Sequence, residues 1–300
     1  MGMLVDGQWQ FAAPRSAVKI PFGMLPWQAE GQVALVVQSN KQEFVEVPLT
    51  PAERSTIVNS GNFRLDAKGN LIGDCQRTYT GQSALVIRAR LRRANAARVQ
   101  GVVRRLLAEE FKPALIRVTS VSGADDAEVP LVVAYQMRYH EFAVLTADRI
   151  IFRPSVFHAG SASPFTSATR QYGVEFPYPW EESDDVTLQL PEGYQLESKN
   201  APPSAPGDVL SYNCDITYTA GKRQLHLQRE FMSKVIGVPP PVYPRLKAWY
   251  DNMAANDQHE MVLLRMPGTP APAAEPAEAP AAPEPDEAPA ASDATGGAAL

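Results

Sequence analysis

The sequence has no long hydrophobic run. Its longest wholly aliphatic stretch is about five residues, from Val33 to Val37, whereas a membrane-spanning helix needs about 20. No basic segment followed by an apolar one opens the chain, so the sequence predicts no membrane span and no export signal. The chain as given is therefore expected to stay in the cytoplasm.

Cysteine and histidine are scarce. Two cysteines, Cys75 and Cys214, cannot form a disulfide framework or a four-cysteine zinc site, and one disulfide between them would need adjoining strands. No two of the four histidines are three or four residues apart, which excludes a helical metal pair. Glycine-rich phosphate loops and the serine nucleophile elbow are also missing. We therefore expect no catalytic, cofactor-binding or metal-binding residues.

The sequence also has no excess of basic residues. Its 28 Lys and Arg stand against 33 Asp and Glu, a net charge of −5, which argues against nucleic acid as a partner. Six of the acids fall in residues 267–300, together with many prolines and alanines and no Lys or Arg. Such a segment cannot bury enough apolar surface to offset its ordering entropy, so it is expected to be a disordered tail.

What the sequence does contain is mainly a β pattern. Short alternating segments bounded by turn residues predict strands, and these fall at Val33–Val37, Glu43–Val47, Thr56–Leu65, Leu71–Tyr79, Leu115–Val121, Leu131–Tyr139, Glu141–Arg149, Val186–Leu190, Val209–Tyr218, Gln224–Phe231 and Glu260–Arg265. Asp66 to Asn70 predicts the turn of a hairpin.

Two stretches have helical spacing. The first lies between about Gly81 and Phe111, where Val99, Val103 and Leu107 share one face, and Pro113 follows it. The second runs from about Pro244 to Asp257. The sequence thus predicts an α+β fold, mostly β, with antiparallel β-sandwich-like units and two main helical segments. The expected units are residues 1–30, 31–155, 156–266 and the tail 267–300.

The first helical stretch is rich in arginine. Eight arginines and no acids occur between residues 76 and 108. A basic helical face of this kind could bind an anionic polymer, and the alternative is an ordinary solvated face. The candidate anion-binding residues are Arg88, Arg92, Arg98 and Arg105.

Five acidic or polar residues, Glu181 to Asp185, follow Trp180. They could bind a divalent cation or flank a sugar-stacking tryptophan. The interpretation that the sequence favours is a solvated turn that leads into a strand at Val186.

Several short strings, taken in their order and spacing, resemble the region after the catalytic core in bacterial transglutaminase-like proteins. They are Pro21–Trp27, Leu65–Leu71, Arg77–Gln82, Arg153–Phe157, Phe176–Pro179 and Leu190–Tyr194. The resemblance covers roughly residues 4 to 265. It implies the C-terminal β-rich domain of a family that also has an N-terminal β domain and a Cys-His-Asp core.

The resemblance implies a chain without catalytic activity. In the family, an Asp-Pro that follows an aromatic residue orients the catalytic histidine, and here Ala13 stands where that Asp would be. The segment from Val5 to Phe11 would be the last strand of the core sheet. The implied partner is a separate transglutaminase-like catalytic chain or another protein, and the family resemblance suggests an exported or envelope location.

Gly73-Asp74-Cys75 offers an alternative function. Transglutaminase-like cores often have Gly-Asp-Cys just before the helix of the nucleophile, where a thiolate is favoured. Here the residues after Cys75 are β-prone, so we expect a structural cysteine. A weak thiol-dependent enzyme that uses Cys75 remains open at this point, as does the basic-helix binder.

Overall fold

The computed structural model describes residues 1–269 except 15, 17, 38–40, 198 and 199. The helices of this part are α1 (Gly81–Leu91), α2 (Ala96–Glu110) and α3 (Tyr243–Asp257). The strands are β1 (Gly2–Val5), β2 (Gln8–Phe11), β3 (Val33–Val37), β4 (Gln42–Glu46), β5 (Thr56–Leu65), β6 (Leu71–Tyr79), β7 (Leu115–Ser122), β8 (Leu131–Tyr139), β9 (Val144–Leu145), β10 (Arg149–Phe152), β11 (Val174–Glu175), β12 (Trp180–Gln189), β13 (Tyr194–Leu196), β14 (Leu210–Thr219), β15 (Gln224–Ser233), β16 (Gly237–Val238) and β17 (Met261–Arg265). The predicted α+β, mostly β class is confirmed. The predicted disordered tail lies almost wholly outside the described residues.

The largest sheet has seven strands in the order β14-β15-β12-β5-β6-β8-β7. Its neighbouring strands pair antiparallel, except that β12 lies parallel to β5. A parallel pair needs a long crossover connection, and here the chain between β5 and β12 includes α1, α2 and β6 to β10.

Side chains alternate between the two faces of this sheet. On β6 and β8 the buried residues fall at every second position, as expected for strands with one face in a core. Polar residues such as Asp74, Gln136 and Gln228 occupy the exposed face. One face of the sheet is therefore in contact with solvent and the other is covered.

The covered face belongs to one large hydrophobic core. A second sheet, β13-β17-β10-β9, contributes Ile150 and Leu263 to it. Helix α2, which packs on β7, contributes Val103 and Leu107. The short 3-10 helix at residues 156–158 adds Phe157. A smaller aromatic cluster surrounds α3.

The structure corrects three boundaries predicted from the sequence. The first helical stretch is two helices, because the Asn95 side chain accepts a hydrogen bond from Arg98 N and caps a new helix. The predicted strand Glu141–Arg149 is interrupted, since Glu141 has a positive φ of 53° and strand β10 starts only at Arg149. Strand β12 starts at Trp180 instead of Val186.

Two separate hairpins form the N-terminal region. The segment from Val5 to Phe11, which the sequence predicts as one strand, contains a turn at Asp6 and Gly7, and both of these residues have positive φ. It therefore supplies the turn and the second strand of a hairpin with β1. Two such residues are typical of a tight hairpin turn. Strands β3 and β4 form the second hairpin, in which Leu35 lies opposite Phe44.

Residues 1–269 form one unit by their contacts. The predicted boundary between residues 155 and 156 divides the strands of the seven-stranded sheet. Strands β5 to β8 precede this boundary in the sequence, and β12, β14 and β15 follow it. The further division of this unit stays a prediction. Within the described part of the chain, no helix has the length and apolar character that crossing a membrane requires.

Candidate functional site

A row of polar side chains crosses the covered face of the seven-stranded sheet. In register, Arg77 lies opposite Asn59, Asn59 beside Asp184, and Asp184 opposite Arg229. All four are buried, with exposed fractions of 5% or less. Charged residues are almost never fully buried unless they are paired, so this row is the most unusual feature of the core.

Hydrogen bonds connect one half of the row. Arg77 donates to both carboxylate oxygens of Glu110 on α2, at 2.7 and 2.8 Å, and its Nε donates to Asn59 Oδ1. The amide of Asn59 then donates to Asp184 Oδ1 at 2.7 Å. The Arg77 guanidinium also lies 4.9 Å from the ring centre of Phe111. Asn59 therefore links the Arg77–Glu110 ion pair to Asp184.

The other half of the row is centred on Arg229. Its Nε and Nη2 donate to the two carboxylate oxygens of Asp257 at 2.7 and 2.9 Å. The hydroxyl of Tyr212 donates to the same carboxylate at 3.0 Å. Such bidentate pairing is the strong form of a charged hydrogen bond, so Asp257 fully engages one side of the guanidinium.

Three side chains converge beside Asp184. Nε2 of His158 lies 3.0 Å from Asp184 Oδ2 and 3.6 Å from Glu182 Oε1. Nη1 of Arg229 lies 3.7 Å from Asp184 Oδ2 and 4.0 Å from Glu182 Oε2. We call His158, Glu182 and Asp184 the triad; a ligand atom from each lies within 4.8 Å of the others.

The triad is held by rigid parts of the fold. Glu182 and Asp184 are two residues apart on β12, so they point to the same face. His158 ends the 3-10 helix that Val156 and Phe157 anchor in the core. The Gln258 side chain donates to His158 O at 2.8 Å, which fixes the backbone there.

The charges of the triad influence one another. Burial alone would lower the pKa of His158, but the carboxylates of Asp184 and Glu182 outweigh it and raise that pKa. Burial alone would raise the pKa of Asp184, but His158, Arg229 and the hydrogen bond from Asn59 lower it. The arrangement therefore favours an ionised Asp184 beside a protonated His158, and it could hold a proton or, in place of that proton, a cation.

The sequence allows a divalent-cation site at Glu181 to Asp185 but favours a solvated turn. Glu181 to Asp185 form no solvated turn, since they lie inside β12 with Asp184 at 4% exposure. A usable signal existed: Glu182 and Asp184 continue the alternation of Val186 and Leu188, which are buried. No local sequence pattern predicts that His158 lies beside Glu182 and Asp184, because His158 belongs to a separate segment of the chain.

Both cysteines are free and buried. Cys75 is on β6 and Cys214 on β14, and three strands separate β6 from β14. At about 4.8 Å a strand this excludes a disulfide. Burial raises the pKa of the Cys75 thiol far above its usual range, and it raises that of Cys214 to about 11. No hydrogen bond or ion pair joins Cys75 to a histidine in the described part of the chain.

These thiols are expected to react slowly. In the native protein at pH 7.5, iodoacetamide should leave both Cys75 and Cys214 unmodified over a time in which a small free thiol is fully alkylated, because the thiolate is the nucleophile and little of it forms. Mass spectrometry of native and urea-unfolded samples measures this. Rapid native alkylation at Cys75 would instead support the thiol-enzyme alternative.

The structure separates the four predicted anion-binding arginines. Arg88 is 5% exposed, and its guanidinium donates to the carbonyls of Gly123, Asp126 and Val129. Its guanidinium is thus engaged by backbone carbonyls of the protein itself. The other three, Arg92, Arg98 and Arg105, are exposed on or next to α1 and α2. Anion binding by these three stays a prediction.

Exposed apolar residues concentrate in the N-terminal region. Eleven of the 21 exposed large apolar side chains in the described residues lie within residues 1–49. On one face of the β3–β4 hairpin these are Val33, Leu35, Val37 and Phe44, at 69, 51, 64 and 77% exposure. We call these four residues the hairpin face. Trp9 Nε1 donates to Glu43 Oε1 at 3.0 Å and joins the two hairpins.

The comparisons with known proteins support a family similarity over part of the chain. Residues 148–263 match the family model of a domain of unknown function with a solved structure, DUF3858. This span includes the triad, Arg229 and Asp257. No curated protein matches the chain.

One solved structure from Parabacteroides distasonis is described as a “putative protease”. The match has 12% identity and a TM-score of 0.42, and it covers 88% of this chain and 35% of the other. The chain therefore spans about a third of the length of that structure. Neither match assigns a role to any residue described above.

Proposed function

We propose that this chain is a non-catalytic accessory module that binds another protein through the hairpin face. The observation that carries the proposal is the concentration of large apolar side chains on this exposed face. Apolar patches on the surface of a folded protein typically mark interaction sites. A small two-stranded hairpin cannot form a core of its own for them, so a partner surface would be needed to cover them.

The partner that we propose is a transglutaminase-like catalytic domain. The reason is the resemblance of six strings in this chain to the region that follows such a core. The buried thiols support the non-catalytic part of the proposal, because a reactive cysteine would need an accessible site with a lowered pKa. Cys75 has neither an exposed side chain nor a lowered pKa.

Two lysine substitutions test the hairpin face. Leu35 and Phe44 lie opposite each other in the hairpin, and both are exposed, so Leu35→Lys with Phe44→Lys should leave the fold intact. We expect the double variant to bind a purified transglutaminase-like domain at least about 30-fold more weakly. The reason is that the loss of a central contact typically costs about 2 kcal/mol. Isothermal titration calorimetry measures the affinity.

A matched control is available on the body of the protein. Leu115 and Val144 are 59% and 64% exposed, and lysines there should leave the affinity unchanged. The proposal is overturned if the wild type does not bind the domain, or if both double variants bind equally well. It is also overturned if the hairpin substitutions abolish a homodimer instead, since the occupant is then a second copy.

A further inference from the structure

We propose that the triad of His158, Glu182 and Asp184 binds one divalent transition-metal ion. This site is independent of the hairpin face and goes beyond the proposed protein-binding function. Each of the three residues offers one ligand atom, and these atoms lie within 4.8 Å of one another.

The spacing of the ligand atoms fits a metal ion. Metal–ligand bonds of about 2.1 Å from histidine and carboxylate place neighbouring ligand atoms about 3.0 Å apart in an octahedral site and about 3.4 Å apart in a tetrahedral one. The distance from His158 Nε2 is 3.0 Å to Asp184 Oδ2 and 3.6 Å to Glu182 Oε1. Two of the three separations therefore match those around a metal ion, and the third, between the two carboxylates, is at most 4.8 Å.

The ligand atoms have few other partners in the described part of the core. His158 Nε2 and Asp184 Oδ2 are both buried and lie 3.0 Å apart as an ion pair, but neither makes a hydrogen bond of good geometry. A buried polar atom without a well-formed hydrogen bond is costly. The other oxygen of Asp184 accepts a hydrogen bond from the amide of Asn59, so Asp184 is already oriented, as the ligands in metal sites are oriented by hydrogen bonds from residues behind them.

The local charge also favours a cation. Asp257 takes two hydrogen bonds from Arg229, which compensates the charge of that arginine. Nη1 of Arg229 stays 3.7 Å or more from the triad carboxylates and makes no hydrogen bond. Glu182 and Asp184 thus bring two carboxylates to His158, and a divalent ion bound to all three side chains would take the place of a proton on the imidazole.

The ligand types narrow the class of ion. One imidazole nitrogen and two carboxylate oxygens suit Zn²⁺ and its first-row neighbours, whereas Ca²⁺ and Mg²⁺ prefer oxygen ligands only. The side chains of His158 and Glu182 are 13% and 17% exposed, so the site lies near the surface, although His158 Nε2 and Asp184 Oδ2 are themselves buried. We therefore choose Zn²⁺ as the test ion and Co²⁺ as its spectroscopic substitute.

The chain offers a matched control pair. Nε2 of His226 also lies 3.0 Å from a carboxylate oxygen, that of Asp185, but this pair is on the exposed face of the sheet. It belongs to no three-residue cluster of possible metal ligands in the part of the chain that the structure describes. If zinc binds any histidine beside an aspartate, substitution of either histidine should weaken zinc binding. If the triad is a specific site, only substitutions in the triad should do so.

The experiment uses the full chain without an affinity tag, treated with a chelator and then dialysed. Titration with ZnCl₂ in a calorimeter should show one saturable site per chain. Glu182→Gln and His158→Gln should each weaken binding by about tenfold or more, while His226→Gln should leave it unchanged. The Co²⁺ complex should show absorption bands in the visible range that His158→Gln alters.

Circular dichroism checks that each variant is folded before titration. If His158→Gln does not fold, Glu182→Gln still tests the site, because Glu182 is partly exposed and the substitution is conservative. The proposal is overturned if the wild type shows no saturable site for Zn²⁺ or Co²⁺. It is likewise overturned if folded Glu182→Gln binds zinc as tightly as the wild type, or if His226→Gln weakens binding equally. In those cases the triad is a buried ion pair. Loss of the hairpin-face interaction would leave these zinc results unchanged.

Discussion

Methionine in place of Arg229 is expected to lower the free energy of unfolding by about 3–5 kcal/mol. Arg229 is 1% exposed and carries the bidentate pair with Asp257. Its removal leaves the carboxylate of Asp257 buried, with the Tyr212 hydroxyl as its one remaining side-chain donor among the described residues. An unpaired buried charge costs far more than a lost surface contact, so the effect should be large.

Urea unfolding followed by circular dichroism measures this loss. Arg149→Met is the control, since Arg149 makes a comparable pair with Glu197 on the surface, where such pairs contribute little. Adding Asp257→Asn to Arg229→Met should recover part of the stability, because it removes the orphaned charge. Equal stability of Arg229→Met and Arg149→Met would contradict the prediction.

The second large effect is expected at Arg88. Its guanidinium makes four hydrogen bonds to three backbone carbonyls in the connection between β7 and β8, at distances from 2.6 to 3.0 Å. Arg88→Met should cost about 2–4 kcal/mol of stability, because these partly buried carbonyls then lose a charged donor.

Arg92 provides the comparison for Arg88. It follows α1, is exposed, and lies in the same arginine-rich stretch, so Arg92→Met should change the free energy of unfolding by no more than about 0.5 kcal/mol. The difference between the two variants in the same urea experiment is the informative quantity. If Arg88→Met were as stable as Arg92→Met, the hydrogen bonds to the connection would be unimportant for folding.

Much of the fold could be predicted from local patterns. Strands such as β5, β6 and β8 were predicted with their observed bounds, because strict alternation identifies a strand that has one buried face. The helices were located, but their division at Asn95 was not, although Asn is a preferred capping residue. The Asp6-Gly7 turn was also overlooked, and it converts one predicted strand into a hairpin.

The candidate site was much harder to predict. A charged residue at an inward position, such as Asp184 or Arg229, looks like an exposed one as long as its strand and its register are unknown. The interpretation of Glu181 to Asp185 as a turn followed the usual rule that acids are solvated. Only the pairing of β12 with both β5 and β15 places Asp184 between Asn59 and Arg229.

The contacts of the triad with its surroundings join distant parts of the chain. Asn59 and Asp184, which form a hydrogen bond, are 125 residues apart, and His158 comes from a loop between two sheets. No periodicity within one element encodes such a contact. A sequence search for nearby histidine pairs therefore could not find it.

The parallel pairing of β5 with β12 has a consequence for the speed of folding. Residues 56–139 can form their four strands from nearby antiparallel partners, and residues 180–233 can form three more in the same way. The junction between these two groups pairs residues that are far apart in sequence, as Asn59 and Asp184 are at 125 residues, and contacts of high sequence separation form slowly. We therefore expect the joining of the two groups to limit the rate of folding, with Asp184 hydrated until that late step.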